Sequence, residues 1–418
     1  MSERELVIIG GGSAGMAAAI SAYDNGISDI LIIEKNRYLG GILNQCIHNG
    51  FGLAEFKEEL TGPEFMSRLA KQVKDRKIEV KYQTNVIGLS REKIVTYSSA
   101  RDGVVEVKAE AIIMACGCYE RSAGAIQIPG DRPSGIITAG NAQLYLNEMG
   151  CLVGKRIFIL GSGDIGLIMA RRLTLEGAEV LGVAEIMPYS NGLNHNMVQC
   201  LHDFNIPLFL SHTVTKAIGK SRLERIEISK VDEKMTPIPG TERTFDVDTL
   251  LLSVGLIPNN DLLNKLGVPT SKTRGAIVDE HMMCDIPGIF STGNVLHVHD
   301  LVDFVVGESR KTGRGAALYI QGKLIQNAPH FVTKAGDNIL YVIPQKVALV
   351  NVEDHLTIKF RVDKPLKDQN LVFTYNGKII RKIFKPFIMP SEMQNIRLAK
   401  EIFDGDQGEL VVSAEARA

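Results

Sequence analysis

The chain opens on a charged stretch and then an unbroken apolar run, Leu6-Val7-Ile8-Ile9, which predicts a buried strand over Glu5–Ile9. Gly10-Gly11-Gly12-Ser13-Ala14-Gly15 follows and leads into a helical pattern from Ser13 to about Asn25. A second apolar run, Asp29–Ile33, ends at Glu34, so the first ~30 residues read as one βαβ unit. Beyond a polar, Gly-rich stretch over Asn36–Thr61, Pro63 and Glu64 suit the first turn of a helix running to about Arg76. Strands are predicted at Glu79–Tyr82, Ile94–Tyr97, Val104–Lys108 and Ala111–Ala115. The opening pattern then restarts. Lys155–Leu160 is a strand, Gly161-Ser162-Gly163-Asp164-Ile165-Gly166 a loop, and a helix follows to Glu176; the next strand, Glu179–Ala184, ends at Glu185. Thr249–Val254 and Gly288–Ser291 read as strands and Phe304–Gln321 as a helix. After Asn327 the texture changes to short strands at 339–343, 347–350, 356–362, 371–375, 378–383 and 410–413, with one helix placed at Ser391–Ile402.

The two Gly loops carry the first chemical signal. Between a strand and a helix, G-x-G-x-x-G makes a tight turn, lets backbone approach a pyrophosphate, and packs helix on strand. Both copies sit in that context. In each, an acid stands nineteen residues after the third Gly, Glu34 after Gly15 and Glu185 after Gly166, placed to bind ribose hydroxyls. At the second loop Glu185 would repel a 2′-phosphate, and Ile186-Met187-Pro188-Tyr189 offers no cation to bind one, which favours NAD over NADP.

Charge removes several alternatives. Lys+Arg 47 against Asp+Glu 48 leaves a net charge of −1, so no basic field draws nucleic acid. No apolar run reaches the ~18 residues of a membrane span. None of the six cysteines forms a C-x-x-C, and Cys116-x-Cys118 lacks a second ligand pair nearby, so no metal site is expected. The charged start and the thiols suit a cytoplasmic protein.

Taken in order, Gly10–Gly15 with Glu34, Gly40-Gly41, Ala115-Cys116-Gly117, Gly161–Gly166 with Glu185, Val254–Asn259 and Ser291–Asn294 resemble the FAD- and NAD-binding pyridine nucleotide–disulfide oxidoreductase superfamily. The stretches Gly40–Gly52 and Gly293–Asp303 are similar to a disulfide-free branch of it. That branch includes flavoproteins encoded beside bacterial glycerol-3-phosphate or 2-hydroxyacid dehydrogenases and, more distantly, subunits of opine oxidase, dye-linked proline dehydrogenase and hydrogen cyanide synthase. The resemblance implies an α/β fold with two Rossmann-like dinucleotide-binding domains of glutathione/thioredoxin-reductase type. The FAD domain would be 1–120 with 271–328, the inserted NAD domain 121–270, and a β-rich extension whose sequence carries little functional information would cover 329–418. It implies FAD contacts at Gly10, Gly12, Ser13, Ala14, Gly15, Glu34, Lys35, Gly40, Gly41, Ile42, Cys46, Val86, Ala115, Cys116, Gly117, Gly293, Asn294, Leu301 and Val302. NAD contacts would fall at Gly161, Gly163, Asp164, Ile165, Gly166, Glu185, Val254 and Gly255.

The sequence departs from the superfamily at its dithiol: neither the C-x4-C after Gly-Gly nor a C-x-x-C in the NAD domain is present. The family's FAD-contacting Asp is Asn294, and a Glu common after the second Gly motif is Ile168. Cys46, His48, His297 and His299 are the candidates for catalytic work near the flavin, each with a plain packing role as the competing reading. Asp300 and Asp303 are expected to cap the helix near Phe304. The expected activity is hydride transfer between NAD(H) and FAD. By family analogy, electrons pass to or from a partner flavoprotein dehydrogenase of glycerol-3-phosphate type, with a small cysteine-rich protein as a further partner and an oligomer as one form of assembly. Three alternatives stand beside it: a self-sufficient NADH oxidase or NADH:acceptor reductase, a subunit of an amino-acid or opine dehydrogenase, and an assembly subunit with an idle NAD site.

Overall fold

The computed structural model describes residues 2–416. It divides into one unit made of residues 1–118 and 258–418 and a second made of 119–257. The chain therefore re-enters the first unit at Pro258, and the C-terminal β region falls within that unit.

In the first unit, strand Ser2–Ile9 pairs in parallel with Ile30–Ile33 on one side and Gly103–Met114 on the other. The latter is a single strand where two were expected, because Ala109 carries the alternation through the supposed gap. Ile289–Ser291 adds in parallel beside it and delivers Thr292, whose N–H donates to Met114 O at 3.0 Å. Helix Ser13–Asp24 is buried along most of its length against helix Val302–Ile320. Small residues permit that approach: a Cβ on Gly313 would lie 2.1 Å from Ala18 O.

The second unit is a five-stranded parallel sheet in the order Leu208–Leu210, Glu179–Glu185, Arg156–Leu160, Thr249–Leu252, Ile136–Thr138. A three-stranded antiparallel sheet, His212–Gly219, Leu223–Lys230 and Arg243–Asp246, completes it. Helix Asp164–Leu175 packs its Leu167, Ala170 and Leu173 into the core of the parallel sheet.

The C-terminal part holds a five-stranded and a three-stranded sheet around one core. Residues 394–399 form a strand, not the expected helix. The polar–apolar register of Gln394–Ala399 pairs antiparallel with His355–Val362, and this pairing overrides the helical reading. No helix among the described residues is long and apolar enough to cross a membrane.

Candidate functional site: two dinucleotide loops and a buried charge cluster

The first loop is fixed by backbone that tolerates no side chain. Gly10 has φ +108°, and a Cβ there would sit 2.4 Å from Ala115 O. A Cβ on Gly15 would meet Gly10 O at 1.8 Å. Glu34 is buried at the end of its strand, its Oε2 accepting from Gly11 N at 2.7 Å and its Oε1 from Asn36 N at 2.7 Å. Gly40 and Gly41, with φ +130° and +58°, bring a second turn onto the loop through Gly40 N to Gly11 O at 2.9 Å. Gly293 closes from the third side, where a Cβ would lie 2.8 Å from Ala14 Cβ.

The second unit repeats the device. Gly161 has φ +95°, and its Cβ would lie 2.1 Å from Ser253 O. Glu185 Oε2 accepts from Ser162 N at 2.9 Å and Ser162 Oγ at 2.6 Å, while its Oε1 accepts from Met187 N at 3.0 Å. Ser253, a residue the sequence reading passed over, accepts from Gly166 N at 3.2 Å; its place just before Val254-Gly255 was the available signal. Asp164 has turned to Leu193 N at 2.8 Å and Asn196 Nδ2 at 2.7 Å, so its carboxylate braces the following loop.

Both helices that leave these loops begin at a Gly with no side-chain cap, Gly12 and Gly163. At Gly12 an added Cβ would meet nothing nearer than Gly41 Cα at 4.0 Å. Uncapped N–H groups beside an open glycine are the donor set that a diphosphate requires. The residues present therefore fit the diphosphate of a dinucleotide such as FAD or NAD at each loop.

Lys35 and Leu301 are exposed, Val86 half-buried and Val302 buried at the start of its helix. Cys46 is buried and donates to Ile42 O at 3.4 Å; burial pushes its thiol up to about 12. Burial does the same to Cys116, whose Sγ donates to Asn259 O. Neither is a thiolate at neutral pH. His48 is half-buried with its ring 5.0 Å from Phe51.

His297 and His299 come together, ring centroids 4.0 Å apart, at a buried carboxylate absent from the sequence expectations. Glu308 Oε1 accepts from Gly293 N at 2.9 Å, and its Oε2 accepts from His297 Nε2 at 2.8 Å and Lys359 Nζ at 2.6 Å. Asn294 Oδ1 accepts from His299 N at 3.1 Å. Its carbonyl is thereby engaged, and its amide N–H groups remain the donors it can offer a ligand. Burial, then the neighbouring His299, lowers His297 to about 3. Burial opposes ionisation of Glu308, yet Lys359 and the imidazoles hold it well below the ordinary carboxylate value of 4.5.

Asp300 and Asp303 do not cap the helix, which starts at Val302 with no side-chain cap. Asp303 instead accepts from the N–H groups of Gly52, Ala54 and Glu55 at 3.0, 2.9 and 2.9 Å, tying down the loop after Gly40-Gly41. Asp303→Ala is expected to cost roughly 1–3 kcal/mol and to speed hydrogen exchange in residues 51–56. Unchanged exchange there would refute the tie.

A second expectation concerns acid. On unfolding, His297 regains its ordinary 6.5 and Glu308 its 4.5. The unfolded chain then binds more protons than the native one, so stability falls as pH drops from about 6.5 toward about 3. His297→Gln, which keeps a donor for Glu308, should flatten this slope in melting temperatures measured across that range. A slope identical to that of the unaltered protein would count against it.

The fold and the doubled loop define a two-dinucleotide flavoprotein of oxidoreductase class. The family model described as pyridine nucleotide-disulphide oxidoreductase matches residues 4–330, and the chain belongs to that family. It is an oxidoreductase whose cofactors are FAD and NAD(P)H. The chain is 26% identical over 284 residues to hydrogen cyanide synthase subunit HcnB of Pseudomonas protegens, covering 63% of this chain and 58% of that relative's length. It is 28% identical over 337 residues to an NADH oxidase of Methanocaldococcus jannaschii, 76% of this chain and 68% of the relative. The thioredoxin reductase of T. acidophilum shares the fold at a TM-score of 0.62 and 22% identity, over 77% of this chain and 99% of that one.

Proposed function

We propose that the chain moves hydride between NAD(H) and FAD and exchanges electrons with a partner dehydrogenase subunit, of glycerol-3-phosphate type by the resemblance. The observation that carries the reading is the repeated loop: two buried carboxylates, Glu34 and Glu185, each accepting from a glycine-loop N–H and from the backbone two residues on. A chain that builds this twice holds two dinucleotides. FAD, when bound, supplies the two-electron chemistry. The chain's own residues bind and orient: the loop glycines admit diphosphates, and the carboxylates present acceptors toward ribose. Glu185 favours NAD over NADP, because a 2′-phosphate beside it would be repelled.

The thiols weigh against a disulfide relay. Cys46 and Cys116 are pushed up to about 12 by burial, and the chain has no C-x-x-C. Electrons then need an acceptor outside these residues, which supports a partner subunit; a small cysteine-rich carrier beside it is what the resemblance alone implies. The subunit status in the name of the Pseudomonas protegens relative supports it further. The Methanocaldococcus jannaschii relative favours the second reading, an NADH oxidase.

Anaerobic addition of NADH separates them. The partner reading expects rapid loss of the ~450 nm flavin band, slow reoxidation by oxygen, and copurification with a second flavoprotein. Fast turnover with oxygen selects the oxidase. A flavin band that NADH leaves intact sinks both and leaves a nucleotide-binding subunit.

A further inference from the structure

Strand His355–Val362 alternates strictly. Leu356, Ile358, Phe360 and Val362 are fully buried in the C-terminal core. Thr357, Lys359 and Arg361 occupy the opposite face. In a free-standing β domain that face would meet water. Here Lys359 is only 6% exposed, and its ammonium lies 2.6 Å from Glu308 Oε2. Arg361, on the same face, pairs with Asp300 and donates to Val298 O at 3.1 Å, Tyr341 OH at 3.1 Å and Pro390 O at 2.9 Å. Both cations thus end in the segment 298–308, directly after the Gly293-Asn294 turn.

Glu308 is the link between them and that turn. One of its oxygens holds Gly293 N–H, with Thr292 Oγ1 at 3.4 Å; the other holds His297 and Lys359. A buried carboxylate without a counter-charge is costly, and it answers by protonating or by swinging toward water. Either response removes the acceptor that fixes the turn.

His297, His299 and Glu308 also lie close enough together to suggest a metal site. His299 Nε2 stands 3.4 Å from Glu308 Oε2, but the spacing of His297 argues otherwise. His297 Nε2 is 2.8 Å from Glu308 Oε2, a hydrogen-bond distance, whereas two ligands on one zinc at ~2.0–2.1 Å stand about 3.3 Å apart. Lys359 already occupies the cation position on that oxygen.

We propose that the C-terminal sheet is part of the flavin-binding machinery, with Lys359 as a positioning residue that holds the Gly293-Asn294 turn in place through Glu308, and Arg361 bracing the same segment through Asp300. The proposal rests on the reading of that turn as an FAD contact. It gives residues 329–418, whose sequence carries little functional information, a part in holding the cofactor.

The test uses the full-length flavoprotein and two readouts: FAD release, followed by the recovery of free flavin fluorescence, and hydrogen exchange in residues 290–299. Lys359→Met should raise the FAD release rate on the order of tenfold or more and speed exchange in the turn. Lys359→Arg, which keeps the charge, should restore most of both. Glu308→Gln combined with Lys359→Met removes both charges while leaving an amide oxygen for Gly293 N–H, and should release FAD within about threefold of the unaltered rate. The double variant also serves should the single one not fold. Unchanged exchange in Lys359→Met, or a double variant that sheds FAD as fast as the single, overturns the proposal. So does a stoichiometric metal ion in the purified protein. Faster exchange with normal FAD retention overturns the flavin link. An unaltered protein that binds no FAD marks failure of the underlying reading instead.

Discussion

Replacing Gly15 with alanine is expected to give a folded protein that carries almost no flavin. The new Cβ would fall 1.8 Å from Gly10 O, deep inside van der Waals contact and against backbone that cannot rotate away. Helix Ser13–Asp24 must then retreat from its loop. It is buried on both sides, so the loop distorts instead of the sheet. Overpacking of this kind costs about 1–3 kcal/mol, which at about 1.4 kcal/mol per tenfold is roughly tenfold to 100-fold in binding. The measurement is flavin absorbance per protein after purification, with nicotinamide dinucleotide binding as the control for folding, since that loop belongs to the other unit. A variant as yellow as the unaltered protein would show that the loop does not hold FAD.

The second large effect comes from the first glycine of the other loop, and its phenotype is the complement. Gly161→Ala is expected to retain its flavin yet lose bleaching by NADH. Gly161 sits at φ +95°, and a Cβ would lie 2.1 Å from Ser253 O. Both the strained dihedral and the collision push the loop away from strand Thr249–Leu252. Affinity for NADH should fall roughly tenfold to 100-fold, while dithionite still reduces the bound flavin. NADH reduction at the unaltered rate would mean that the second loop is not the nicotinamide site. The two variants together assign one cofactor to each loop, which neither does alone.

Cysteine chemistry shows how sequence and structure divide the work. The missing C-x-x-C was legible in the sequence and already argued against an internal dithiol. That Cys46 is a buried thiol donating to Ile42 O depended on the turn after Gly40-Gly41 and on Gly62 packing against it. The helix placed at 391–402 failed for the same kind of reason. Its residues pair with a strand some forty positions earlier, and local propensity does not report such a partner.

The sequence alone determined the doubled βαβ device and its two acids. These are local: a glycine that needs positive φ and a carboxylate at the next strand end lie within about one βαβ unit, where spacing fixes geometry. Only the tertiary structure decided what Glu308 and Lys359 do. They stand fifty-one residues apart, on a helix and a strand. An alternating strand shows the same pattern whether its polar face meets water or a buried carboxylate, so their partnership exists only once the C-terminal sheet is laid against the turn at Gly293.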